Sequence, residues 1–277
     1  MRRLLCGLSA LLILSGCGQP VVLEGVPTAP PYEGPLYVEV TAPPDDEKAD
    51  RSGAAGLAVD CDTPPVGYTE PDPYENSVSR SPIAALKRER KEPNRGADSQ
   101  LREARREDDR VLYVYEVDRR IKQAMIVHRG TAIDGNTGWY VESWARCDWA
   151  ELPPALAEGL GLQVWTDSSG RRVPTTRIAS SRGPEHCNWE DMTFLNVDGG
   201  DLDGGQTYLE HPQLSLYPDY LKVPYLPRTE LPANGEDTGY RYNGRHLWLA
   251  PDQSRAFVGT PDSVAVWPRT TEPLGCA

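Results

Sequence analysis

The sequence predicts an α+β, β-rich fold: two diverged antiparallel β-meander modules, each closed by a disulfide, with short helices. Three observations lead there. Short alternating apolar runs, separated by turn residues, fill 110–147 and 245–269. The two regions match each other: Arg110-Val-Leu-Tyr-Val parallels Arg245-His-Leu-Trp-Leu, and Val141-x-x-Trp144-x-Arg146 parallels Val264-x-x-Trp267-x-Arg269. Four cysteines, Cys61, Cys147, Cys187 and Cys276, frame the two regions at nearly equal intervals. That is the pattern of a duplicated unit; two unrelated three-strand meanders are the alternative, since the segments before the hairpins differ.

The chain begins Met1-Arg2-Arg3, followed by an apolar run over residues 4–14. The run is too short for a helix that must cross about 30 Å of hydrocarbon, and a positive start before a short apolar stretch marks a secretory signal. It ends in Leu14-Ser15-Gly16-Cys17. These residues resemble the lipobox of bacterial lipoproteins. The resemblance implies cleavage before Cys17, a diacylglyceryl group on its sulfur, palmitate-type acylation and attachment to the membrane. An ordinary signal ending by chance at a Cys is the alternative. The Arg pair lacks the rest of a twin-arginine motif.

Residues 1–16 are therefore read as the signal peptide and 17–56 as the lipidated Cys and a Pro-rich tether. "PTAPPYEGP" and "TAPPDDEKADRSGAAG" lack an apolar period and suit extended chain. Residues 57–158 form an N-terminal α+β module. It opens with a short helix, in which Ser81 caps and Pro82 takes the first position of "SPIAALKRERKE". Residues 98–109 are open between helix and strand. "RVLYVYEVDRRIKQAMIVHRG" is a hairpin turning at Asp118-Arg119-Arg120, and "GWYVESWARC" is a third strand.

Residues 159–277 form a C-terminal β-rich module. Around its start, 151–158 suit a short helical turn interrupted by Pro153-Pro154, and 162–165 with 175–179 suit a hairpin. "MTFLNV" and "QTYLEHP" read as strands, and "RHLWLAPDQSRAFVGTPDSVAVWPR" as a meander. An even number of cysteines in an exported chain reads as disulfides. Three pairings are open, and the duplication selects Cys61–Cys147 and Cys187–Cys276. A loop of roughly ninety residues closed this way stabilises by about 4–5 kcal/mol in the chain-entropy account.

The formal net charge is −12, and removing the signal's two Arg makes it more negative. Such a chain is repelled by nucleic acid and anionic headgroups, so a lipid tether has to hold it at the membrane. Tyr (13) and Trp (7) far outnumber Phe (2), which suits strands and recognition surfaces.

Chemistry is sparse. His186 and Cys187 are adjacent, a poor geometry for activating a thiol, and an exported Cys is expected to be oxidised. The four histidines, His128, His186, His211 and His246, form no ligand pair, so no metal site and no cofactor are expected. "NVDGGDLDGG" (196–205) carries Asn196, Asp198, Asp201 and Asp203, but lacks the EF-hand Gly and Glu; a turn is preferred and calcium stays open. Glu142, Asp148, Glu190 and Asp191 lie near tryptophans, which could stack on sugar rings beside paired carboxylates; with 41 acids and seven Trp, such neighbourhoods also arise by chance.

The stretches "VLYVYEVDRRIKQAMIVH", "GWYVESWARC" and "GPEHCNWEDMTFL" are similar to uncharacterised secreted or lipid-anchored actinobacterial proteins. That resemblance implies location and folding, and carries no activity or site residues. The expectation is a non-catalytic, lipid-anchored protein on the extracytoplasmic face of the cell membrane. It would bind a wall polymer or an envelope protein, and no nucleic acid. A glycan hydrolase working near Trp144 or Trp189 is the alternative.

Overall fold

A computed structural model gives the fold for residues 29–40, 51–70, 73, 77–89, 101–200, 204–211 and 218–274, called the described residues below. Residues 1–16, expected as a signal peptide, Cys17 and Cys276 lie outside them. Three antiparallel sheets make up the described body.

The first sheet holds β1 (Val66–Thr69), β2 (Arg102–Arg106), β3 (Arg110–Val117), β4 (Arg120–Thr131) and β5 (Thr137–Arg146), in the order β1-β5-β4-β3-β2. Residues 98–109, open in the sequence, thus supply a strand. The β3–β4 hairpin turns on Asp118 and Arg119, both at positive φ (50° and 65°), the two-residue turn whose twist suits paired strands.

Alternation along β3 and β4 gives the sheet two apolar faces. Leu112, Val114, Ala124 and Ile126 pack under α1 (Gly53–Ala58) together with Ala29, Tyr32 and Leu36. Val111, Tyr113, Met125 and Val127 pack under Ala85 and Leu86 of α2 (Pro82–Glu89). The Ser81 hydroxyl accepts from Ala84 N at 3.2 Å, as the capping pattern expects.

The tether expected over 17–56 differs from this arrangement in its described parts. Leu36 is only 2 % exposed, Arg105 Nη1 donates to Gly34 O at 2.6 Å, and Ala54 and Ala55 are buried. The Pro-rich spacing hid a few apolar residues that suffice to cover one face of the sheet. The packed body therefore starts before residue 57.

The second sheet, β6 (Leu162–Val164), β7 (Ile178–Arg182), β8 (Thr193–Val197) and β9 (Gln206–Glu210), runs β6-β7-β8-β9. It follows a 3-10 turn at Trp149–Glu151 and α3 (Pro154–Gly159), which begins on a proline. The third sheet holds β10 (Leu226–Thr229), β11 (Glu236–Tyr242), β12 (Arg245–Leu249), β13 (Arg255–Thr260) and β14 (Ser263–Pro268), in the order β10-β14-β13-β12-β11. The second and third sheets share a core of Trp165, Ile178, Leu195, Tyr208, Leu247, Val258 and Trp267. They touch at two seams: Thr166 bridges Arg241, and Tyr208 bridges Arg269.

Two expectations need correction. The described residues form three sheets where two meander modules are expected. The 162–179 hairpin and the strands "TFLNV" and "QTYLE" close with each other into β6–β9, because each supplies the edge that the next one needs. Nor are Trp144 and Trp267 equivalent in space. In the first sheet Ile126 faces Ser143 while Val127 faces Val141, so Glu142 is an extra, bulged residue. The third sheet has no such step between β13 and β14. One inserted residue turns Trp144 to the α2 face, whereas Trp267 lies in the core shared by the second and third sheets.

Candidate functional site

Cys61 and Cys147 form a disulfide with Cα atoms 5.2 Å apart, joining the residues before β1 to the end of β5. Cys187, in a 3-10 turn after β7, is also disulfide-bonded, and its expected partner Cys276 lies outside the described residues. Around the first bridge the chain forms a corner. Buried Lys122 donates from Nζ to Asp60 O (2.7 Å) and to Glu151 (2.6 Å). Glu151 also accepts from Asp62 N and Thr63 N. The buried Arg146 guanidinium lies 3.7 Å over the Trp149 ring and donates to Cys147 O; burial lowers its pKa to about 10.

The carboxylates expected near tryptophan separate into different tasks. Glu142 accepts a two-pronged pair of bonds from Arg110 Nε and Nη2, both 2.8 Å. His128 Nδ1 lies 3.0 Å from the same carboxylate and its Nε2 lies 3.3 Å from Asp109. Register explains the gathering: Arg110 faces His128 across β3–β4, His128 faces Tyr140 across β4–β5, and the bulge swings Glu142 into the row. Burial, the largest effect, pushes the Glu142 carboxyl up, but the bonds from His128 and Arg110 together hold it below its ordinary value. The ring of Tyr37 covers Arg110 at 4.9 Å.

Asp148 caps the 3-10 turn through Ala150 N (2.7 Å) and holds Thr175 by its N and Oγ1. It ties the first sheet to the loop before β7. Glu190 and Asp191 are exposed in the turn before β8. Nearby, a shallow cleft of ≈ 430 Å³ is bordered by Trp189, Phe194, His186 and Arg182. Gly183 has no room for a Cβ against Trp189 O and Phe194, so this approach requires glycine.

In the Asp-rich loop, Asn196 Oδ1 accepts from Thr207 Oγ1 (2.9 Å) and Asp198 pairs with Arg177 (3.3 Å). Asp201 and Asp203 lie outside the described residues. Among the described residues no group of three or more His, Cys, Asp or Glu could hold a metal ion. Among the other histidines, His246 stacks on Trp248 at 5.3 Å.

Sequence reasoning missed a second groove, ≈ 210 Å³, where α3, β6 and β11 meet. Pro154, Ala157, Leu162 and Val164 form its apolar side; Thr166, Arg172, Tyr242 and Asn243 line the other. Arg172 donates to Leu152 O and to Trp149 O (3.0 Å). Among the described residues it makes no ion pair, and burial lowers its pKa against the more distant pull of Asp148 and Glu158. No local pattern in "DSSGRRV" marks Arg172, because its place depends on contacts with residues 149–164.

A scan against protein-family models finds no match for the chain, and neither the curated proteins nor the solved structures give one.

Proposed function

We propose that the chain is a non-catalytic envelope protein, anchored through a lipid on Cys17 to the extracytoplasmic face of the cell membrane, whose β body binds a wall polymer or a protein partner. The observation that carries this reading is the engagement of Glu142 and Asp148. Glu142 is paired with Arg110 and lies 3.0 Å from His128 Nδ1, and Asp148 is spent on a cap and on Thr175. A general acid needs a carboxyl raised towards the working pH, and Glu142 is shifted the other way.

The fold adds support. The first and third sheets share one strand order: first strand outermost beside the fifth, then fourth, third and second. We take them as diverged copies of one five-strand unit, with β6–β9 between them. In this reading Cys61–Cys147 closes the first unit, and Cys187–Cys276 ties the second sheet to the chain's end. Two disulfides suit an oxidising compartment.

The test uses the full chain in detergent micelles, incubated with isolated cell walls and then sedimented. Retention that saturates, or a specific crosslink to one protein in native membranes, is expected. Cys17→Ser should leave that binding intact and move the protein out of the membrane fraction. Absence of both retention and crosslink contradicts the reading.

A further inference from the structure

The groove beside α3 is bordered by an open strand edge. Among the described residues strand β6 is the edge of its sheet and pairs only with β7. Main-chain groups along a strand point alternately to its two sides. Gly161 O accepts from Arg182 N, and Trp165 O accepts from Val173 N, so odd-numbered residues face β7 and its loop. The even-numbered residues face away. Thr166 uses that side for β11: its N–H donates to Arg241 O and its carbonyl accepts from Arg241 N, both at 2.8 Å. The seam then stops. Beyond Arg241, β11 turns back at Asn243 and Gly244, both at positive φ. Leu162 and Val164 are left with outward N–H and C=O groups and, among the described residues, no strand to receive them. Both are only partly buried.

This open edge lies in the groove that Arg172 and Tyr242 also line. The groove is below the roughly 300–1,000 Å³ of sites that enclose a small molecule. Its length of strand edge suits a chain segment instead. Glu158 and Arg241 line the groove as well. Glu158 acts on Arg172 only through space, and Arg172 donates to the main-chain carbonyls of Leu152 and Trp149 and makes no ion pair among the described residues, so its guanidinium can take a carboxylate from an occupant.

We propose that this groove binds an extended peptide segment of a partner protein, which adds a strand to the free edge of β6 and sets a carboxylate against Arg172. Main-chain bonds would hold the segment, and Arg172 with the apolar wall would select it. The assignment rests on the binding-module reading and names the partner's chemistry.

The probe is an array of N-acetylated heptapeptides with free carboxyl ends, set beside a matching amidated array without Asp or Glu. The full chain in detergent is applied to both, and the strongest binder is titrated against variants. Binders are expected from the carboxylate array only. Val164→Pro removes an N–H that the fold does not use, at an edge position where proline is tolerated. It should weaken the best binder about five- to tenfold, roughly the loss of one main-chain bond, with unchanged thermal unfolding. Arg172→Gln should weaken it about tenfold or more, as loss of a charge-assisted contact does. Equal binding to the amidated array, or a best binder indifferent to both variants, overturns the groove assignment. If the chain is retained on isolated walls but takes no peptide, the peptide assignment fails while the binding-module reading stands. If neither walls nor peptides nor membrane partners are bound, both fail.

Discussion

Glu142 holds together the end of the first sheet. Its carboxylate is nearly buried, and without it Arg110 and His128 would face each other across the strand pair. Glu142→Gln keeps the shape and removes the charge. The expected loss is about 2–3 kcal/mol in urea unfolding, under the roughly 3–5 kcal/mol of a fully buried pair because Arg110 keeps some contact with water. The pH dependence has a definite sign. The folded carboxyl is held below its ordinary value, so the unfolded chain takes up the proton first as pH falls. The stabilisation is complete above the unfolded value of about 4.3 and is lost as pH falls through the folded value. The stability gap between wild type and Glu142→Gln should therefore narrow below about pH 4.3. A gap that widens with acid contradicts the assignment. None of this is legible in the sequence. Arg110 and His128 are separated along the chain by a hairpin, and Glu142 reaches them only because one residue bulges out of β5.

Whole elements were more legible than their partners. The Ser81 cap, the β3–β4 turn and the three-strand meanders follow from local spacing, since capping, turn chemistry and alternation act over a few residues. The strands of the second sheet are recognisable singly, but their pairing is settled by distant edges that local spacing does not show. The same limit hid the segment over 29–40. Proline marked it as extended, correctly so, yet extended chain with Leu36 and Tyr32 at the right places still covers a sheet. Leu36→Ala should cost about 2–4 kcal/mol, the range for a large-to-small change in a packed core, measured by thermal or urea unfolding. A loss under about 0.5 kcal/mol, as for a surface site, would mean that the segment contributes nothing to the first sheet. Gly67 belongs to the same layer. A Cβ there would meet Ser52 Cβ and Trp144 O, so β1 can lie against β5 only with glycine at this position.

At the scale of the whole molecule, a disulfide closes the first sheet across 86 residues, and a shared core joins the other two. Cys61→Ser/Cys147→Ser should lower stability by about 4–5 kcal/mol in the chain-entropy account. The loss should fall on the first sheet, so calorimetry should show an early transition before the core around Trp165 and Trp267 melts. A single transition with an unchanged midpoint contradicts this. The central claim is that the body binds and does not cut, because Glu142 and Asp148 are occupied in holding the fold. The most direct measurement is soluble sugar released from isolated wall glycan by the full chain over time, beside Glu142→Gln and Asp191→Asn. The expected result is no release above buffer from any of the three. Release by the wild type that either substitution abolishes would make the protein a hydrolase and contradict the claim.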